Sequence, residues 1–204
     1  TGNTRFFKKQ VEEIGVEVKV INTLKFKVVN ESINNTDKRD AKIIADFLCK
    51  DILPEARMCS EKSEVLRKIV RYRKILVSTR VKLKNQVHGL LLGLGIKSKA
   101  GQLNSKKGRK AVVEQLKKTN NHHVVELIVN SIDAIEKQIK EIEKKMEDLT
   151  EDDPVVRILK SIPGTGKISA ITVRAHIDDI NRFKTYKKLS SYAGLVPWVY
   201  NSDE

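Results

Sequence analysis

The sequence has only two cysteines, no apolar run approaching the roughly 20 residues that span a bilayer, and far fewer acidic than basic residues. Each shortage excludes something. Cys49 and Cys59 have no histidine or further cysteine at a zinc spacing, which argues against a disulfide framework or a zinc site and points to reduced thiols in an intracellular chain. The missing apolar run, with no visible signal peptide, sets membrane insertion aside. His88, His122, His123 and His176 form no ligand set with one another.

The shortage of acid is the most informative. Twenty-six Asp and Glu against 40 Lys and Arg leave +14 at pH 7, an excess that favours polyanions, nucleic acid first. With 204 residues and 40% apolar composition, the chain can bury a real core in one large or two modest domains. It starts at Thr1-Gly2 rather than with Met and stops at Asp203-Glu204 without a terminator pattern, which reads as a fragment cut at both ends.

Hydrophobic spacing predicts the elements. Phe6, Phe7, Val11 and Ile14 predict an amphipathic helix over residues 3–14 with Gly15 as its stop, and VEVKVIN (16–22) alternates as a strand does. A helix followed at once by a strand suggests part of a β-α-β unit. After a polar connection (30–36), Ile43, Ile44, Phe47 and Leu48 share a helical face. Residues 61–95 form a long helix with Leu66, Ile69, Tyr72, Leu76, Leu83, Val87, Leu90 and Leu91 inward. Its other face carries Arg67, Arg71, Arg73, Lys74, Arg80 and Lys84, a nucleic-acid grip or a solvated face. Residues 97–110 hold six basic residues and two glycines, Lys106, Lys107, Arg109 and Lys110 among them, and predict a mobile basic loop. Then Ile128, Ile132, Ile135, Ile139, Ile142, Met146 and Leu149 recur at steps of 4 and 3, a heptad seam that predicts self-association as a dimer or tetramer, or internal pairing. The expected fold is mixed α/β and mostly α, with domains over 1–58, 59–152 and 153–204.

Two motifs carry chemistry. SIPGTGKISA (161–170) reads as a helix-hairpin-helix. Its turn glycines Gly164 and Gly166 precede a helix N-terminus whose free N–H groups, with Lys167, can hold a DNA phosphate. A P-loop is rejected, because Ser161 stands where that motif needs glycine and Ile168 where it needs Ser or Thr. NNTDKRDAKIIADF (34–47) places Asp37 and Asp40 three residues apart, on one face of a helix. They can face a single divalent cation, or they can simply suit the positive end of that helix, with Thr36 or Asp37 as cap.

The order of these pieces resembles the IS one-ten type of bacterial insertion-sequence transposases, which includes the Piv DNA invertases. The likeness runs through TGNTRFFKKQVEEIGVEVKVIN, NNTDKRDAKIIADFL, the long basic helix, the coiled-coil stretch, SIPGTGKISA and NRFKTYKKLSSYAGLVPWVYNS. The resemblance implies a RuvC-like, RNase H-type domain whose four acidic residues, in the order Asp, Glu, Asp, Asp, bind Mg2+. The family's T-D-x-x-D-A segment matches TDKRDA, which assigns the last two to Asp37 and Asp40 and places the other two upstream of Thr1. It implies a serine nucleophile after a G-L-x-P segment, matched by Ser202 in GLVPWVYNS, although Asp203 replaces the usual following glycine. It also implies DNA as substrate and a structured guide RNA as partner, and a fragment that is inactive by itself. A RuvC-like junction nuclease, and a non-enzymatic DNA-binding coiled-coil protein, are the competing readings.

Overall fold

A computed structural model describes residues 3–29 and 36–196, which fold almost wholly as helices in two units that divide between Cys59 and Ser60. In the first unit, α1 (Thr4–Glu13) ends as predicted at Gly15, whose φ of +84° suits a residue without a Cβ. The Gly15 and Val16 amides return to the carbonyls of Glu12 (3.0 Å) and Val11 (3.3 Å), a Schellman stop.

The predicted strand over 16–22 is not formed. The single bridge there joins Ile21 to Glu55, bordered by the bonds Asn22 N to Pro54 O (2.8 Å) and Ala56 N to Val20 O (2.6 Å). A ladder needs donors on both sides, and Pro54 has no N–H to return. Asn22 instead starts a helix that the alternation concealed, α2 (Thr23–Val29), by accepting the Lys25 amide on its side chain (3.2 Å). The third helix, α3 (Asp37–Cys49), meets α2 through an edge-on contact of Phe26 with Phe47, 5.7 Å between centroids.

The second unit is built on two long helices, α4 (Glu61–Gly93) and α6 (His122–Asp148). They run antiparallel: Leu66 packs with Met146 in one core cluster, and Val87 and Leu91 pack with Val125 and Val129 in the other. The heptad seam lies inside this pair. Ile132 and Met146 are 0% exposed and Ile139 5%, at roughly 1.5–3 kcal/mol for each such side chain removed from water. The seam predicted for self-association is therefore taken up within the chain, because α4 supplies a helix long enough to cover it.

The predicted mobile loop is also corrected. Residues 97–110 contain a 3-10 turn (Gln102–Asn104) and the start of α5 (Lys106–Gln115), capped by Ser105 Oγ accepting the Gly108 amide at 3.0 Å. Leu103, 1% exposed, anchors the turn in the core, and basic composition hid that anchor. The approach is close: a Cβ on Gly108 would stand 1.9 Å from the Gln102 carbonyl oxygen.

Three short helices complete the unit: α7 (Pro154–Ser161), α8 (Lys167–Ile177) and, after a 3-10 turn, α9 (Tyr186–Tyr192). Among the described residues no helix is long and apolar enough to cross a membrane. The close approach at Gly108 makes a testable prediction. Gly108→Ala lowers unfolding stability in urea by about 1–3 kcal/mol through overpacking, whereas Gly89→Ala, where nothing lies within 4 Å, raises it by roughly 0.5–1 kcal/mol.

Candidate acidic site and basic surfaces

The first turn of α3 presents the acidic pair. Thr36 is the cap, its Oγ1 accepting the Arg39 amide at 3.4 Å, and its extended backbone (φ −110°, ψ 149°) leads the chain into the helix. Asp37 and Asp40 then both occupy the first turn, where unpaired N–H groups and the helix dipole favour negative charge. Asp37 is exposed and Asp40 half-buried. The Oδ1 atom of Asp40 is buried with no hydrogen-bond partner. A carboxylate oxygen so placed costs stability while unsatisfied and matches the hard oxygen donor that Mg2+ selects. Among the described residues no group of three His, Cys, Asp or Glu gathers as a metal site, and Asp37 and Asp40 are the two carboxylates that this turn offers. Ser202 lies outside the described residues.

The second candidate surface is the turn between α7 and α8. Asp153, 4% exposed, caps α7 by accepting the Val155 (3.0 Å) and Val156 (3.4 Å) amides, and its other oxygen accepts Arg174 Nε at 2.9 Å. Arg174 also donates to the Asp178 carbonyl (2.7 Å) and toward Ser63 Oγ (3.4 Å), so one ion pair ties α7 and α8 to α4. Burial pushes the Asp153 carboxyl up. Arg174, the Val155 amide and Lys62 outweigh it and hold the group below its ordinary value. The turn itself is exposed at Gly164 and Gly166, with Gly164 at φ +83° and Gly166 in the cap position of α8. Lys167 opens α8 and pairs with Glu147 of α6 at 2.9 Å.

The basic face predicted on α4 divides in two. Arg73 binds Glu143 (2.6 Å), Lys84 lies 3.7 Å and Arg80 4.0 Å from Glu136, and Arg67 donates to the carbonyls of Ala175 (2.7 Å) and His176 (2.9 Å) at the C-terminal end of α8. Arg109, expected on a basic loop, is 2% exposed and bound to Asp133 (2.6 Å), Glu136 (2.7 Å) and the Leu103 carbonyl (2.9 Å). In this structure Arg109 is a buried internal tie, and half-buried Arg67 commits Nε and one amino group to the end of α8. The missed signal was on the partner helix, where Asp133, Glu136 and Glu143 flank the apolar seam. Arg71, Lys74, Lys106, Lys107 and Lys110 are exposed. Burial, then the charges of Arg67 and Arg71, hold His176 below its usual pKa. A further feature escaped the sequence reading: the Arg182 guanidinium stacks 4.3 Å from both the Phe183 and Tyr192 rings, and Tyr192 donates to the His176 carbonyl (3.0 Å).

Both ends of this architecture match known transposases. A transposase model of the DEDD type found in IS110 covers residues 7–96, including the acidic turn, and the model described as Transposase IS116/IS110/IS902 family covers residues 156–204, including the α7–α8 turn. Both matches are to insertion-sequence transposases of the IS110 type, one toward each end of the chain, and they support that class for it. It is 25% identical to the transposase for insertion sequence element IS1328 of Yersinia enterocolitica over 97% of this chain and 59% of that protein. It is 28% identical to the transposase for IS1111A of Coxiella burnetii over 83% of this chain and 47% of that protein, and 23% identical to a probable family 20 transposase of Pseudomonas aeruginosa over 96% and 59%. The chain therefore spans about half to three-fifths of the length of these relatives.

The Asp153–Arg174 tie carries a pH prediction. Because the folded-state pKa of Asp153 is depressed, its contribution is complete above the unfolded value of about 3.9 and is lost as pH falls through the lower folded value. Asp153→Ala should cost about 3 kcal/mol at neutral pH by leaving Arg174 unpaired and α7 uncapped. Urea titrations at several pH values should show the difference from the native chain shrinking in acid.

Proposed function

We propose that the chain forms part of a DNA recombinase of a mobile insertion element, with magnesium-dependent strand cleavage and transfer at a site to which Asp37 and Asp40 belong. One observation carries this reading: the buried, unbonded Oδ1 of Asp40 on the same helical turn as exposed Asp37, inside the segment matched by the DEDD-type model. The two side chains fit oxygen ligands of Mg2+, which would supply charge stabilisation at a scissile phosphate when bound. Residues 1–58 are read as the C-terminal part of a RuvC-like domain, 59–152 as the basic and coiled-coil segment, and 153–204 as a transposase domain opening on a helix-hairpin-helix.

Each residue has a distinct role in this reading. Asp37 and Asp40 would hold a Mg2+ ion, which would supply charge stabilisation for the scissile phosphate. The hydroxyl oxygen of Ser202 attacks phosphorus, the bond to the leaving strand oxygen breaks, and the phosphodiester energy is kept in a serine–DNA link. A hydroxyl of the new partner strand then displaces the serine. Gly164 and Gly166 offer backbone N–H groups to a DNA phosphate, and Lys167 adds its charge by exchanging Glu147 for that phosphate. Lys106, Lys107 and Lys110 hold the backbone of a structured guide RNA through salt-sensitive contacts. Assembly as a dimer or tetramer would bring two DNA partners together.

The test uses the complete reading frame. Asp37→Asn and Asp40→Asn should each lower strand cleavage at least about 100-fold, a loss of some 2.7 kcal/mol of transition-state stabilisation. Folding stability should change by under about 1 kcal/mol, the size of a helix-dipole contribution. Ser202→Ala should abolish strand transfer and the covalent protein–DNA species; hydrolytic cleavage that survives Ser202→Ala would assign water as nucleophile and favour a junction nuclease. Residues 1–204 alone should not cleave DNA with magnesium present.

A further inference from the structure

The net charge of the chain has a single source. Between Val65 and Val113 there are 14 Lys and Arg and no Asp or Glu, so the other residues hold 26 of each sign and cancel. The structure sorts those 14 by helix face. Arg67, Arg73, Arg80, Lys84 and Arg109 turn inward to carboxylates or helix-end carbonyls, and Lys68 pairs with Glu64. Arg71, Lys74 and Lys82 are exposed on the stripe of α4 that Arg67 begins, away from the face turned to α6. No ion pair or side-chain hydrogen bond occupies them among the described residues.

Steps of three and four place Ser78 and Asn85 on the same stripe as those three cations, and no acid joins them. An ordinary solvated face in this protein looks different: the outer face of α6 mixes Lys137 with Glu141 at 3.9 Å, and Lys144 and Lys145 with Asp148. A surface of one sign on a helix that is otherwise neutralised from within is complementary to a polyanion.

We propose that this stripe of α4 docks on double-stranded DNA, with Arg71 and Lys74 on phosphates at one edge of the major groove and Lys82 on those across it. Lys74 and Lys82 are separated along the helix by about 12 Å, the width of about 12 Å that the major groove of B-form DNA offers to a helix. Ser78, between them, is small enough to face the groove floor. The corresponding groove of double-stranded RNA is too deep and narrow for side chains to read, so the stripe fits DNA. The proposal rests on the reading of the chain as a DNA-handling transposase and is independent of the acidic site.

Fluorescence anisotropy with labelled 20-bp duplexes of DNA and RNA, between about 50 and 200 mM salt, tests it on the 204-residue chain. The variant Arg71→Gln/Lys74→Gln/Lys82→Gln should lose about tenfold or more in DNA affinity, and its log–log salt slope should fall by roughly 2 to 3. A control, Lys137→Gln/Lys144→Gln/Lys145→Gln, removes the same charge from α6 and should lose less than about threefold. Unchanged melting by circular dichroism confirms that both fold. Equal losses in the two variants, native-like DNA affinity in the α4 variant, or a larger loss for RNA than for DNA would each overturn the stripe assignment alone. A native chain that binds neither duplex at any of these salt concentrations would overturn the function reading as well.

Discussion

The pairing of α4 with α6 is the constraint on which the second unit depends. After Glu64, α4 contains no acidic residue, and a helix so charged cannot bury a face unless another element brings counter-charge. Helix α6 brings it in register with its apolar seam: Glu143 meets Arg73, and Glu136 meets Arg80, Lys84 and Arg109. Burial of a guanidinium as complete as that of Arg109 costs several kcal/mol unless its donors are filled. Asp133, Glu136 and the Leu103 carbonyl fill them. The pairs add little net stability, and their larger effect is on register, since a slip of one turn would leave buried Arg109 and several half-buried charges without partners.

The turn between α7 and α8 is tied to that pair. Arg67 reaches from α4 to the last carbonyls of α8, and Arg174 reaches from α8 to the cap of α7. The turn over 162–166 is thus held by cations that were spent inside the fold. The same division leaves Arg71, Lys74 and Lys82 outside. The inward cations set geometry and the outward ones set the surface potential.

Much of this was legible in the sequence, and the failures share one cause. Local chemistry was read well: Gly15 as a stop, Asp37 and Asp40 on one first turn, and Pro163 to Gly166 as a tight turn between helices each follow from dihedral preference or capping. What local pattern cannot encode is the partner. The alternation of Val16, Val18 and Val20 fits a strand only where another backbone lies alongside, and here the adjacent segment carries Pro54. Arg109 looked like a loop cation because Asp133 and Glu136 stand more than 20 residues away. The heptad seam was read correctly as a seam, but its period does not say whether the covering helix comes from the same chain.

The acidic turn obeys the opposite logic. The buried charges Arg109 and Asp153 are satisfied by the fold, whereas the Oδ1 of half-buried Asp40 has no partner. Its position lowers the cost of that: the dipole and the free amides at the start of α3 stabilise a carboxylate there without any cation, so the helix forms with Thr36 as its cap whatever fills the site. Thr36 and the dipole together account for the folding of this turn without any bound ion.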